Sequence, residues 1–107
     1  MQIARMYTGP DGITRMEELS EAELKLPAKE LVLRRKRANL NGQWHTAGRR
    51  QLAIVQSGRV NIETADGTIR EFGPGDLILE EDLTGKGHRA WSTSPEPVIL
   101  SAVMLDQ

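Results

Sequence analysis

The chain has no cysteine, which excludes a disulfide framework and any thiolate metal site. Aromatic residues are scarce: Tyr7, Trp44, Phe72 and Trp91 are the whole set in 107 residues. Neither sign of charge dominates, and the formal net charge is −1. A general nucleic-acid binder, which needs a broad basic surface, is excluded on that ground. No apolar run approaches the ~18 residues of a membrane span. The start Met1-Gln2-Ile3-Ala4-Arg5 lacks the apolar region of a secretory signal. The expectation is a cytoplasmic protein with neither nucleic-acid nor membrane partners.

What is present fits a soluble globular protein: 38% of residues are hydrophobic and 27% charged. The length predicts one domain over 1–107 with a single core, that core covering about 31–105 and an N-terminal arm covering 1–30. Short β-compatible stretches, Ile3–Tyr7 and Ile13–Met16, flank the turn signal Gly9-Pro10-Asp11-Gly12. In the acidic stretch Glu17–Glu30, Ser20 stands three residues before Glu23, the spacing of a capping box, and Pro27 limits it to a turn or two of helix.

Leu31–Ala38 reads as a strand carrying Arg34-Arg35-Lys36-Arg37. Alternation sends Arg35 and Arg37 to one face and Arg34 and Lys36 to the other. Ordinary strand surface is the plain reading of this run. The sharper one gives Arg35 and Arg37 an anionic ligand to hold.

Two hairpins follow. A two-residue loop at Ser57-Gly58 sets Val55 against Val60, Ala53 against Ile62 and Gln51 against Thr64. These six share a face that is apolar near the turn and polar at its far end, as a pocket wall is. Leu52 and Ile54 on the opposite face require cover from another segment or a second subunit. A turn at Asp66-Gly67 sets Glu63 across from Arg70. Leu77–Glu80 and His88–Thr93 are further strands, and Val98–Leu105 an almost continuous apolar one. About eight short strands separated by turn signals predict an all-β sandwich or barrel.

The two histidines, His45 and His88, stand at the ends of the stretch Trp44–Trp91, so folding the hairpins together can bring the imidazoles together. Imidazoles move protons at neutral pH because their ordinary pKa is near ~6.5. If Ile78 faces inward, so does Glu80 two residues on. His45, Glu80 and His88 are therefore the candidate catalytic groups. Gln51 and Arg50 are candidates to orient substrate oxygens, with solvent exposure the plain reading for Arg50. Trp44 and Trp91 alternate away from their neighbouring histidines. Glu81 and Asp82 read as loop acids, and Thr84-Gly85-Lys86-Gly87 lacks the spacing of a phosphate loop.

Two motifs carry a family resemblance. Trp44-His45-Thr46-Ala47, Gln51 and Gly58 resemble the first motif of the cupins, and Phe72-Gly73-Pro74-Gly75-Asp76 followed by His88 resembles the second. The resemblance covers residues 31–105 and implies a cupin-like double-stranded β-helix (jelly roll) barrel with a pocket inside. It further implies a divalent transition metal such as iron, nickel, manganese or zinc, held here by His45, Gln51 and His88. Two family ligands are replaced: Ala47 stands where a second histidine is expected and Gln51 where a glutamate is. Loss of that carboxylate weakens the metal site and disfavours dioxygenase chemistry.

Two functions follow as expectations. One is an enzyme of lyase, isomerase or dehydratase type acting on a small polar or anionic substrate; the other is a non-catalytic ligand-binding or sensing module. Fold alone does not choose between them. A homodimer through the face of Leu52 and Ile54 is expected in either case.

Overall fold

The computed structural model describes residues 1–24, 33–38 and 40–105, with the side chains of Leu33, Arg34 and Lys36 outside that set. Pro27 and the expected start of a strand at Leu31 lie outside the described residues. Nine strands are present among those described: β1 (Ile3–Thr8), β2 (Thr14–Glu18), β3 (Leu33–Arg37), β4 (Gln51–Ser57), β5 (Val60–Thr64), β6 (Ile69–Phe72), β7 (Leu77–Glu81), β8 (His88–Trp91) and β9 (Ile99–Met104). One 3₁₀ turn, Glu21–Glu23, opens on the expected capping box, in which Ser20 and Glu23 each bond the other's backbone N–H. No helix among the described residues is long and apolar enough to cross a membrane.

The strands form a six-stranded sheet, ordered β2-β1-β7-β4-β9-β3, and a three-stranded sheet, ordered β6-β5-β8. Ala53, Val55 and Ile78 of the first pack with Val60, Ile62, Phe72 and Ala90 of the second in one buried cluster. The fold is all-β, and among the described residues no ladder closes the two sheets into a barrel. The segment read as an N-terminal arm supplies β1 and β2. β1 sits inside the larger sheet, parallel to β7, with Ile3, Ala4 and Met6 buried.

The expected hairpin at Ser57-Gly58 does not form. β4 pairs with β7 and β9, and β5 pairs with β6 and β8, so the chain changes sheets at this corner. Gly58 has φ 72°, and a Cβ there would crowd the Pro97 carbonyl and Val98; glycine permits both the backbone and the approach. The six residues assigned to one face are nonetheless all buried. They stand on facing walls of the core instead of side by side.

The Asp66-Gly67 turn is also one residue longer than expected. Thr64 N–H donates to Thr68 and Gly67 N–H to Thr64, giving a three-residue connection that shifts the register by one. Glu63 therefore faces Ile69, and Arg70 faces Ile62. The ion pair of Glu63 is made instead to Arg89 on β8, at 2.6 Å.

On the outer face of the larger sheet, Leu52, Leu79 and Leu105 form a second buried cluster, with Leu19 and Leu24 packed against it. The chain's own N-terminal segment thus covers Leu52. Ile54 remains half-buried in a shallow groove with Arg35 and Ile99.

Candidate functional site

Strand register builds the site in layers. On the larger sheet Gln51 lies opposite Glu80, and Ala53 opposite Ile78. On the smaller sheet Thr64 lies opposite His88, and Ile62 opposite Ala90. Because residues two apart share a face, each wall presents a polar layer followed by an apolar one. Between them lies a cavity of about 230 Å³, below the ~300–1,000 Å³ of drug-sized ligand sites. His45, Thr46, Gln51, Glu80 and His88 line its polar part, and Ala53, Val60, Ile62, Ile78 and Leu100 its apolar part.

His45 reaches this wall through a two-residue bridge to β8. His45 N–H donates to the His88 carbonyl and His88 N–H to the His45 carbonyl, both at 2.9 Å. The bridge depends on Gly87, which has φ 80°. A Cβ at that position would overlap the His45 carbonyl. The imidazoles consequently meet with centroids 4.5 Å apart and planes tilted by 59°.

Each ring is held through Nδ1. That of His45 lies 3.0 Å from the Gln43 carbonyl, and that of His88 lies 2.5 Å from Asp82 Oδ2. A carbonyl and an ionised carboxylate only accept, so Nδ1 carries the proton in both rings. His88 Nε2 then lies 3.9 Å from Glu80 Oε1. Gln51 Nε2 donates to Glu80 Oε2 at 2.9 Å, turning the Gln51 amide nitrogen toward the carboxylate.

Burial of His88 opposes its charged form, but the hydrogen bond to Asp82 and the charges of Asp82 and Glu80 outweigh it. The pKa is raised above the ordinary 6.5, which shifts the ring toward imidazolium.

Of the residues singled out in the sequence, His45, Gln51, Glu80 and His88 come together around one cavity. Arg35 and Arg37 do not join them: both are exposed on β3, while Ala38 lines the cavity. Arg50 is half-buried, not solvent-facing, and donates to Glu81. Trp44 and Trp91 stand outside the cavity lining. Lys86 Nζ lies 4.1 Å from the Trp44 ring centre and the Arg89 guanidinium 5.6 Å from that of Trp91.

The reading of Glu81 as a loop acid is corrected, while Asp82 lies in the loop as expected but is buried. Glu81 ends β7 and pairs with both Arg5 and Arg50. Asp82 is fully buried, and its Oδ1 lacks a hydrogen-bond partner among the described residues. Its backbone carbonyl accepts from Ala47 N–H at 3.1 Å, tying the acid to the His45 segment. The available signal was an acid followed by a glycine-rich loop and then a histidine, Asp82 to His88.

No family model, curated protein or solved structure matches the chain. Among the described residues, no group of three or more His, Cys, Asp or Glu side chains is arranged to hold a metal ion.

Proposed function

We propose that this chain is a cupin-like jelly roll whose cavity binds a small polar molecule and moves a proton on it, as a lyase, isomerase or dehydratase does. The observation that carries the reading is His88, held between buried Asp82 and Glu80 at the polar end of the cavity. Asp82 fixes the ring and stabilises its charged form, so Nε2–H serves as the acid toward a substrate oxygen. Glu80, oriented by Gln51, serves as the base that takes a proton from the neighbouring carbon. Together these transfers move a hydrogen from carbon to oxygen without a net change of protons. His45 supplies a further hydrogen bond through Nε2.

The test is exchange of α-protons of small ketones and hydroxyketones into D₂O, followed by NMR. Exchange in the wild type that is lost in His88→Asn and in Glu80→Gln is expected. Binding without exchange would favour the non-catalytic module.

A divalent ion is a second reading, favoured by the anchoring of both rings through Nδ1. In the neutral rings that anchoring leaves the Nε2 lone pairs of both histidines to coordinate, as in metal-binding histidines supported through Nδ1, so a metal would bind in competition with the Nε2 proton of His88. His45, His88 and the Gln51 carbonyl are the residues that would hold it. Bound there, the ion would polarise a carbonyl or activate a water. Elemental analysis of untagged protein and of His45→Ala and His88→Ala tests this reading: near-stoichiometric metal lost in both variants is expected.

A further inference from the structure

The layered wall limits what the cavity accepts. Beyond Gln51–Glu80 come Ala53–Ile78, and beyond His88 comes Ala90 with Ile62. Ala53, Ile62, Ile78 and Ala90 are each 6% exposed or less. A polar group brought against their carbons loses its water without gaining a hydrogen bond. At the other end, imidazole, amide and carboxylate offer both donors and acceptors. The change from polar to apolar occurs within one pleat on each sheet, so the ligand must change character over the same short distance.

Resting on the reading of this cavity as the ligand site, we propose that its ligand class is a small molecule with one polar head and a short aliphatic tail. The head is a hydroxyl, carbonyl or amide seated among His45, Gln51, Glu80 and His88. The tail runs between Ala53, Ile62 and Ile78. A cavity of about 230 Å³, below the ~300–1,000 Å³ of drug-sized ligand sites, keeps that ligand small. The small side chains of Ala53 and Ala90 set this size, because each stands where a larger residue would fill the space opposite Ile78 or Ile62. Sugars, polyols and dicarboxylates are disfavoured by the same wall.

The test is an NMR titration of the uniformly ¹⁵N-labelled chain with acetamide, propionamide, butyramide and valeramide, beside threitol and succinate. Shifts at the His88 and Ala90 amides report binding. Affinity should rise about fourfold per added carbon while the tail stays in the apolar layer, then stop rising. Threitol and succinate should bind at least tenfold more weakly than butyramide. An affinity independent of tail length, or threitol or succinate binding at these amides as tightly as butyramide, would overturn the inference while leaving the cavity as the ligand site. No shift at these amides with any of the six compounds would overturn both the inference and the site. Ala53→Leu should abolish the gain with tail length. The wild-type series decides the question even if that variant does not fold.

Discussion

Asp82 and His88 form a buried pair in which a carboxylate that is 0% exposed holds the Nδ1 of a ring that is 4% exposed. Removing one member of such a pair leaves the other desolvated and uncompensated. The pair also links the two elements that bring the histidines together, since the Asp82 carbonyl accepts from Ala47 while His88 bridges to His45. The stability of the cavity wall therefore depends in part on the charge of one ring.

That dependence sets an alkaline limit on stability. The pKa of His88 is raised in the fold above its ordinary 6.5. Its contribution is fully present below about pH 6.5 and is lost as pH rises through the folded value. The wild type should accordingly lose Tm over that window. Asp82→Asn should remove most of the decline and cost about 1.5–3 kcal/mol at pH 6, while His88 titrates at lower pH by NMR. Identical His88 titrations in the two proteins would sink this account.

An acidic limit comes from Glu81. Burial opposes its ionisation, but hydrogen bonds from Arg5 and Arg50 outweigh this and lower its pKa below 4.5. A depressed carboxylate contributes stability above its unfolded pKa and loses it as pH falls through the folded one. Below pH 4.5 the wild type should lose a stabilisation on the order of 1 kcal/mol, the size reduced by partial exposure of the cluster. Glu81→Gln should lack that acidic transition and be less stable at pH 7. Chemical denaturation at pH 3.5 and pH 7 distinguishes the two.

The face of a residue could be read from the sequence where strand period alone decides it. Gln51, Ala53 and Val55 alternate with Leu52 and Ile54 whichever strand lies beside them, and Ile78 carries Glu80 with it to the inner wall. Pairing could not be read, because a two-residue turn signal such as Ser57-Gly58 looks the same when it joins two strands and when it changes sheets. What decided between them was the packing of Gly58 on Pro97 and Val98, a contact some 40 residues away. Asp82 was missed for a related reason. Its partner His88 lies only six residues on, but composition shows a polar loop between them and does not show that the loop folds the acid inward. His45 and His88 were singled out by the motifs and as the two histidines of the chain, Glu80 by alternation from Ile78, and Gln51 by both alternation and motif.

Gly87 is the residue on which the histidine bridge turns. Its φ of 80° and its approach to the His45 carbonyl both require the missing side chain. Gly87→Ala should cost more than the ~1 kcal/mol of ordinary backbone strain and separate the rings. Gly67→Ala shares the sign of φ but has open space around it, and should cost only the backbone term. Comparing the Tm of both variants, with the nuclear Overhauser contacts between the two rings, checks the assignment. Loss of Tm with ring contacts intact would leave Gly87 as an ordinary turn glycine.

Leu52 decides how the outer face of the larger sheet is covered. From the sequence a homodimer contact is expected on the face of Leu52 and Ile54, whereas the packing of Leu19 and Leu24 against the cluster of Leu52, Leu79 and Leu105 favours cover of Leu52 by the chain itself. Leu52→Ala should then cost about 2–5 kcal/mol, the range for truncating a buried leucine. The loss should be independent of protein concentration, because the cover is intramolecular. Were a second subunit the cover, the midpoint of unfolding would rise with concentration in the wild type and cease to do so in the variant. Truncating Leu19 separates the cases further. Leu19→Ala should weaken the same cluster, and its cost should overlap that of Leu52→Ala in a double-mutant cycle, since both side chains belong to one packed cluster. Strict additivity of the two would place the cover of Leu52 elsewhere.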